Sequence, residues 1–382
     1  MIGTRHRKNF LVLILSATLA TTVASRTTNA DPFLREGLKR LAASVKEQLK
    51  KNGYNEVTVG DFIARNVKAS SGPGLSLQIA QQLKALDVSV KEKAPVLLSG
   101  KFSITEQKEF ADSRFPSLVL KIRAELVLKD ADEELAFITI PVFGDAVDQT
   151  AGNTVELPID KDAAERQRRR RDAIRNPSAF VAGNETRASA NSHFGIEIRV
   201  VKQRKKLPNG AAVVTSTEAR TPDAKVLAAE GRSFARLDKR DEYIVRLYNR
   251  APFEAAVTLT IDGLNMFTFS KESNFVSQIL IPPGKFVEIP GWYITSTDTD
   301  AFLITGFPDS AVANLGVTSQ VGAITAQFHA AWDPKDKPPK DEVNPKSANT
   351  ATARGRQIEQ KYEKVKRVVG RSRAVVTVRY NR

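Results

Sequence analysis

Residues 118–128 read LVLKIRAELVL. Leu118, Leu120, Ile122, Ala124, Leu126 and Leu128 fall on one side of an extended chain, and Lys121, Arg123, Glu125 and Lys129 on the other. A period of two over this length predicts a strand with one buried and one wet face. Residues 130–134 are polar and predict a turn, and residues 135–143 predict the returning strand. Upstream, 88–90 and 96–104 read as strands, and 75–86 as a helix with Leu75, Ile79, Leu83 and Leu86 on one face. Ser70-Ser71-Gly72-Pro73-Gly74 predicts a loop, and 56–62 a strand with Val57, Val59 and Asp61 on one side. Residues 33–51 carry Leu34, Leu38, Leu41, Val45 and Leu49 at steps of three and four, the stripe of an amphipathic helix. Asn52-Gly53 would cap it in a left-handed turn. This order predicts an α+β domain over 31–150, two helices packed on a mixed sheet.

Downstream of the hairpin the pattern changes. Residues 151–193 are expected to be a charged linker, helical at first, centred on Arg166-Gln167-Arg168-Arg169-Arg170-Arg171. From 194 to 382 the chain predicts a β-sandwich, with strands at 195–201, 243–248, 256–262, 276–281, 285–289, 301–305 and 322–329. Turn residues separate them, as in Asp262-Gly263 and Pro282-Pro283-Gly284. A polar excursion is expected at 333–352, then a short helix at 355–369 using Ile358, Tyr362, Val365 and Val369. A closing strand follows at 373–380.

Two resemblances follow from these motifs. Val57-Thr58-Val59-Gly60-Asp61-Phe62, Gly74-Leu75-Ser76-Leu77-Gln78-Ile79 and Leu98-Ser99-Gly100-Lys101-Phe102 resemble the small α/β domain of FlgO- and CsgG-type envelope assembly proteins. The lipid-bearing cysteine of those families has no counterpart, because the chain has no cysteine. The second half resembles a class of exported bacterial β-sandwich proteins of unassigned function. That resemblance rests on 243–249, Thr260-Ile261-Asp262-Gly263-Leu264-Asn265, Pro282-Pro283-Gly284, Gly291-Trp292, Ala301-Phe302, Ser310-Ala311-Val312-Ala313 and Val321-Gly322-Ala323-Ile324 with Phe328. It implies export and a sandwich, and names no reaction.

Of the 382 residues, 41% are hydrophobic and 26% charged, ordinary values for a folded chain long enough for two domains. Without cysteine there is no disulfide, thiolate metal site or thiol nucleophile. Arg5, Arg7 and Lys8 precede an apolar run at 10–20 and then small-residue sites at Thr22-Val23-Ala24 and Thr28-Asn29-Ala30. This predicts a signal peptide at 1–30 and an exported bacterial protein, periplasmic or extracellular. The formal net charge of +15 points to an anionic envelope polymer or another envelope protein as partner, rather than to nucleic acid.

Candidate chemistry is sparse. Arg166, Arg168, Arg169, Arg170 and Arg171 are candidates for anion binding, since guanidinium pairs bidentately with phosphate or carboxylate. Trp292 and Tyr293, with Phe267 and Phe269, could form a sugar-binding platform or fill a core. Asp298 and Asp300 read as a solvated turn, His193 and His329 as structural, and Asp262-Gly263 as a hairpin turn. No catalytic residue, metal site or cofactor is expected. The function expected is an exported, non-enzymatic interaction or scaffolding protein of the cell envelope. A carbohydrate-binding module and a hydrolase with an unrecognised site are the alternatives.

Overall fold

The computed structural model describes residues 32–107, 117–159, 163–206, 212–271, 278–295, 297–305, 322–342, 348–354 and 362–380. The expected leader at 1–30 and the motif Ser310-Ala311-Val312-Ala313 lie outside them. The fold is mixed α and β and mostly strand, with five helices among the described residues.

The first body contains α1 (Pro32–Lys51), β1 (Glu56–Ala64), α2 (Gly72–Lys84), β2 (Ser89–Val90), β3 (Val96–Gln107), β4 (Ser117–Leu128) and β5 (Glu133–Val142). Its sheet runs β2-β1-β3-β4-β5, with β1 parallel to both neighbours and the rest antiparallel. The inward face of β4 is as expected, with Leu118, Leu120, Ile122, Ala124 and Leu126 buried and Arg123 exposed opposite, but Val119 on the other face is buried as well. The leucine stripe of α1 is buried against α2 and β5. Gly53 ends the helix with φ of 79°, the left-handed cap the sequence predicts.

Two local readings are corrected. Register slips between Val59 and Phe62 of β1, so Val57 and Phe62 are the buried residues and Asp61 is not in line with them. Gly72, Pro73 and Gly74, expected in a loop, form the buried first turn of α2, where proline's missing N–H costs nothing.

The connecting elements are α3 (Asp145–Ala151), β6 (Val155–Glu156) and α4 (Ala163–Arg175). The β body follows with β7 (Phe180–Ala182), β8 (Glu185–Arg187), β9 (Phe194–Lys206), β10 (Ala212–Ala219), α5 (Ala224–Glu230), β11 (Ser233–Phe234) and β12 (Glu242–Asn249). It continues with β13 (Glu254–Ile261), β14 (Leu264–Asn265), β15 (Ile279–Ile281), β16 (Lys285–Ile289), β17 (Gly291–Tyr293) and β18 (Thr299–Leu303). The last strands are β19 (Ala323–Trp332), β20 (Ala348–Arg354) and β21 (Tyr362–Arg379).

One sheet is ordered β17-β18-β12-β9-β8-β7, with β10 and β16 branching from it. The other is ordered β11-β21-β19-β13-β15-β20, with β6 on β21 and β14 on β13. Ile196, Ile198, Val245 and Leu247 of the first share one core with Leu259, Ala326, Phe328 and Val376 of the second.

The helix expected at 355–369 is not formed where the structure describes it: residues 362–369 belong to β21. Tyr362, Val365 and Val369 fit a helical stripe, but Val365, Val368 and Val369 are β-branched, and β19 and β20 offer them partners. The polar excursion is likewise partly strand, since β20 pairs with both β15 and β21.

Candidate interaction site on helix α4

Helical periodicity sorts the arginine run. Arg166 and Arg170, four apart, face inward and are 5% and 7% exposed. Arg170 Nε donates to both oxygens of Asp148, at 2.9 and 2.7 Å, and another of its nitrogens lies 3.3 Å from Asp145. Arg166 donates to the carbonyls of Leu157 (2.5 Å), Pro158 (3.0 Å) and Ser372 (3.0 Å). The Ser372 bond ties α4 to β21. Burial raises the Asp148 carboxyl above its ordinary pKa against the pull of Arg170. Burial, with the neighbouring charge of Arg170, lowers Arg166 to about 10. Of the five anion-binding candidates, Arg166 and Arg170 are therefore corrected to structural groups with partners inside the protein.

The outward residues behave differently. Arg168 and Arg169 share one carboxylate, Glu165, at 2.7 and 3.0 Å. Arg171 and Arg175 share another, Glu106 of β3, each at 2.7 Å. Hydrogen bonds from Arg168 and then Arg169 hold Glu165 below the ordinary carboxylate range. Asp172, exposed one turn on from Arg168, adds a third carboxylate, so the four guanidiniums leave one positive charge over on this face, and Arg168 and Arg175 have side chains 62% and 64% exposed. Such a face can take phosphate or carboxylate oxygens from solution.

The aromatic candidates form no exposed platform. Tyr293 is 2% exposed and stacks on Phe267 with ring centroids 4.9 Å apart. Trp292 is half-buried, edge-on to Phe269 and Phe302 at 5.2 Å each. His329 is buried, with Nδ1 3.1 Å from the Gly370 carbonyl oxygen, and His193 is exposed beside Phe194. Asp298 accepts from Thr295 Oγ1 at 2.6 Å within its own turn. Among the described residues, no three His, Asp or Glu side chains converge as a metal ion requires.

Sequence reasoning missed the acids that matter most. Asp145 and Asp148 sit on α3, and neither has a local signature. Asp262 does make the expected turn, with φ of 52° at Asp262 and 77° at Gly263 joining β13 to β14. Its carboxylate is also buried, accepting from Gly322 N (2.6 Å), Ala323 N (2.9 Å) and the Tyr380 hydroxyl (2.6 Å). A surface cleft of about 300 Å³ lies elsewhere, lined by Glu218, Arg220, Thr221, Arg236 and Asp238. Compared with known protein families, curated proteins and solved structures, the chain matches none.

Proposed function

We propose that this protein is an exported, non-enzymatic scaffold of the bacterial cell envelope, built as an α+β domain joined to a β-sandwich domain. Its outward α4 face holds an anionic envelope polymer. The observation that carries this reading is the sharing of single carboxylates by Arg168 with Arg169 and by Arg171 with Arg175. Surplus guanidinium on an exposed helix attracts polyanions more than it stabilises the fold. No helix among the described residues is long and apolar enough to cross a membrane. The leader at 1–30 and the resemblance to envelope assembly proteins support the location. Tyr293 lies in the core rather than on a platform, and the buried carboxylates Asp145 and Asp148 are engaged by Arg170.

The test is binding to linear polyphosphate over a salt series. Three phosphate contacts on a flexible polyanion give a log–log slope of about −2 by counterion release. The R168Q/R169Q/R175Q variant should bind more weakly with a flatter slope and an unchanged melting temperature. Equal binding by parent and variant at every salt concentration overturns the polymer reading. N-terminal sequencing of native protein should start near Ser25 or Asp31, and an intact Met1 on cytoplasmic protein overturns export.

A further inference from the structure

Strand β5 closes one edge of the first sheet: among the described residues it pairs with β4 alone. In an antiparallel ladder every second residue bonds its neighbour, and the next points its N–H and C=O away. Pro141 fixes which is which. It has no N–H to give Lys121 opposite, and Arg40 of α1 reaches its carbonyl at 3.4 Å. The register is unbroken from Ala136 to Val142, so Phe137 and Thr139 share the parity of Pro141 and point their backbone groups outward. Thr139 is exposed, and among the described residues neither N–H has an acceptor. No charged residue between Glu134 and Val142 discourages a further strand there. Charge gathers at the two ends instead. Glu133 and Glu134 open the strand, while Arg40, Lys121 and Arg123 flank its far half. Among the described residues none of these five side chains forms an ion pair.

We propose that β5 pairs antiparallel with β5 of a second copy of this chain, about a two-fold axis at Ile138, so that two five-stranded sheets join into one. This register sets Phe137 opposite the partner's Thr139, and the outward N–H groups of both residues in both copies find carbonyl acceptors. The two-fold axis also reverses the strand. It brings Glu133 and Glu134 of each copy to the end flanked by Arg40, Lys121 and Arg123 of the other, and does so twice. A parallel pairing would set acid against acid. Any extended segment could satisfy the backbone, but the second copy also carries the matching charges. This inference stands apart from the polymer-binding reading of α4, because none of these residues belongs to that helix.

The experiment is sedimentation velocity on the protein as its host produces it, over a concentration series. The parent should pass from monomer to dimer, and hydrogen exchange at the Phe137 and Thr139 amides should slow as it does. T139P removes an outward N–H and leaves the ladder to β4 intact, so it should stay monomeric. Two charge variants keep the test decisive if T139P does not fold. E133K/E134K sets like charges together at both ends of the pair, as does K121E/R123E, and each should dimerise about tenfold more weakly than the parent. Mixed one to one, the two variants are complementary at both ends and should recover the dimer. Circular dichroism should show each variant folded as the parent is. A parent monomeric throughout the series, a dimer indifferent to T139P and to both charge variants, or a mixture no more dimeric than its components overturns the proposal.

Discussion

Asp262 engages its backbone and its side chain separately, which makes the two roles separable by mutation. Its left-handed φ suits Asn nearly as well as Asp, whereas Ala there costs about 1–2 kcal/mol. D262N should keep the turn but present an amide N–H₂ to a pocket of donors, lowering stability by about 1–3 kcal/mol. D262A should lose more, a difference readable in urea midpoints. Burial raises the Asp262 carboxyl above its usual value of 3.8, against hydrogen bonds from Tyr380, Ala323, Gly322 and Ser70. Between that value and the raised one, the folded state holds a proton that the unfolded chain has released. The folded state then binds more protons, so this group makes stability fall as pH rises through the window and contributes no further slope above it. The stability difference between parent and D262N should therefore change across that window, and parallel pH profiles would refute the assignment. The turn was legible because Asp-Gly favours positive φ locally. The carboxylate's partner Tyr380 lies 118 positions away, and no local pattern announces it.

Helix α4 shows the same division over a full element. Five arginines in six positions read as a run of charge, but a period of 3.6 residues gives them opposite surroundings. R170Q takes away the guanidinium that lies 2.7 Å from buried Asp148 and 3.3 Å from Asp145 and should cost about 3–5 kcal/mol. R168Q, on the exposed face, should leave the melting temperature unchanged. Thermal melts of the two variants check the contrast, and equal losses would mean that α4 does not sit as described. The i, i+4 spacing of Arg166 and Arg170 was available in the sequence, but it became informative only with Asp145 and Asp148 opposite. Helix α2 meets the β13–β14 turn through Leu77, which packs on Leu264, and through backbone, where Gly74 N donates to the Asp262 carbonyl at 3.3 Å. A Cβ at Gly74 would lie 2.8 Å from Gly263 Cα and closer still to its carbonyl. Backbone cannot yield as a side chain does, so G74A should destabilise by about 1–3 kcal/mol. A neutral outcome in urea denaturation would show that the two elements do not touch. Elements whose apolar period is unbroken, α1 and β4, were read from sequence nearly to their ends. β20 and the first half of β21 were not, because their strand character depends on pairing with each other.

The largest departure from the sequence reading concerns how the molecule holds together. A solvated linker at 151–193 would let two bodies unfold independently and would offer trypsin its first cut near Arg166. Instead β6 pairs with β21, Leu157 N donates to the Arg373 carbonyl at 2.7 Å, and Gln327 Nε2 reaches the Asp145 carbonyl at 3.4 Å. The Ser71 hydroxyl donates to the Thr150 carbonyl at 2.8 Å, and Arg166 bridges to Ser372. These contacts join the α1–β5 body to the β body through buried groups, each of which would lose its partner if one body opened alone. Unfolding should therefore be a single transition. Both tryptophans, Trp292 and Trp332, lie in the β body, whereas the longest helix, α1, lies in the other. Tryptophan fluorescence and far-ultraviolet circular dichroism therefore report different bodies, and in urea their midpoints should coincide. Trypsin should spare Arg166 and Arg170 until that transition begins. In R170Q, where the buried junction keeps its acids but loses the Arg170 guanidinium, the two midpoints should separate. Separate midpoints in the parent, or early cleavage after Arg166, would restore the linker and remove the coupling argued from the junction.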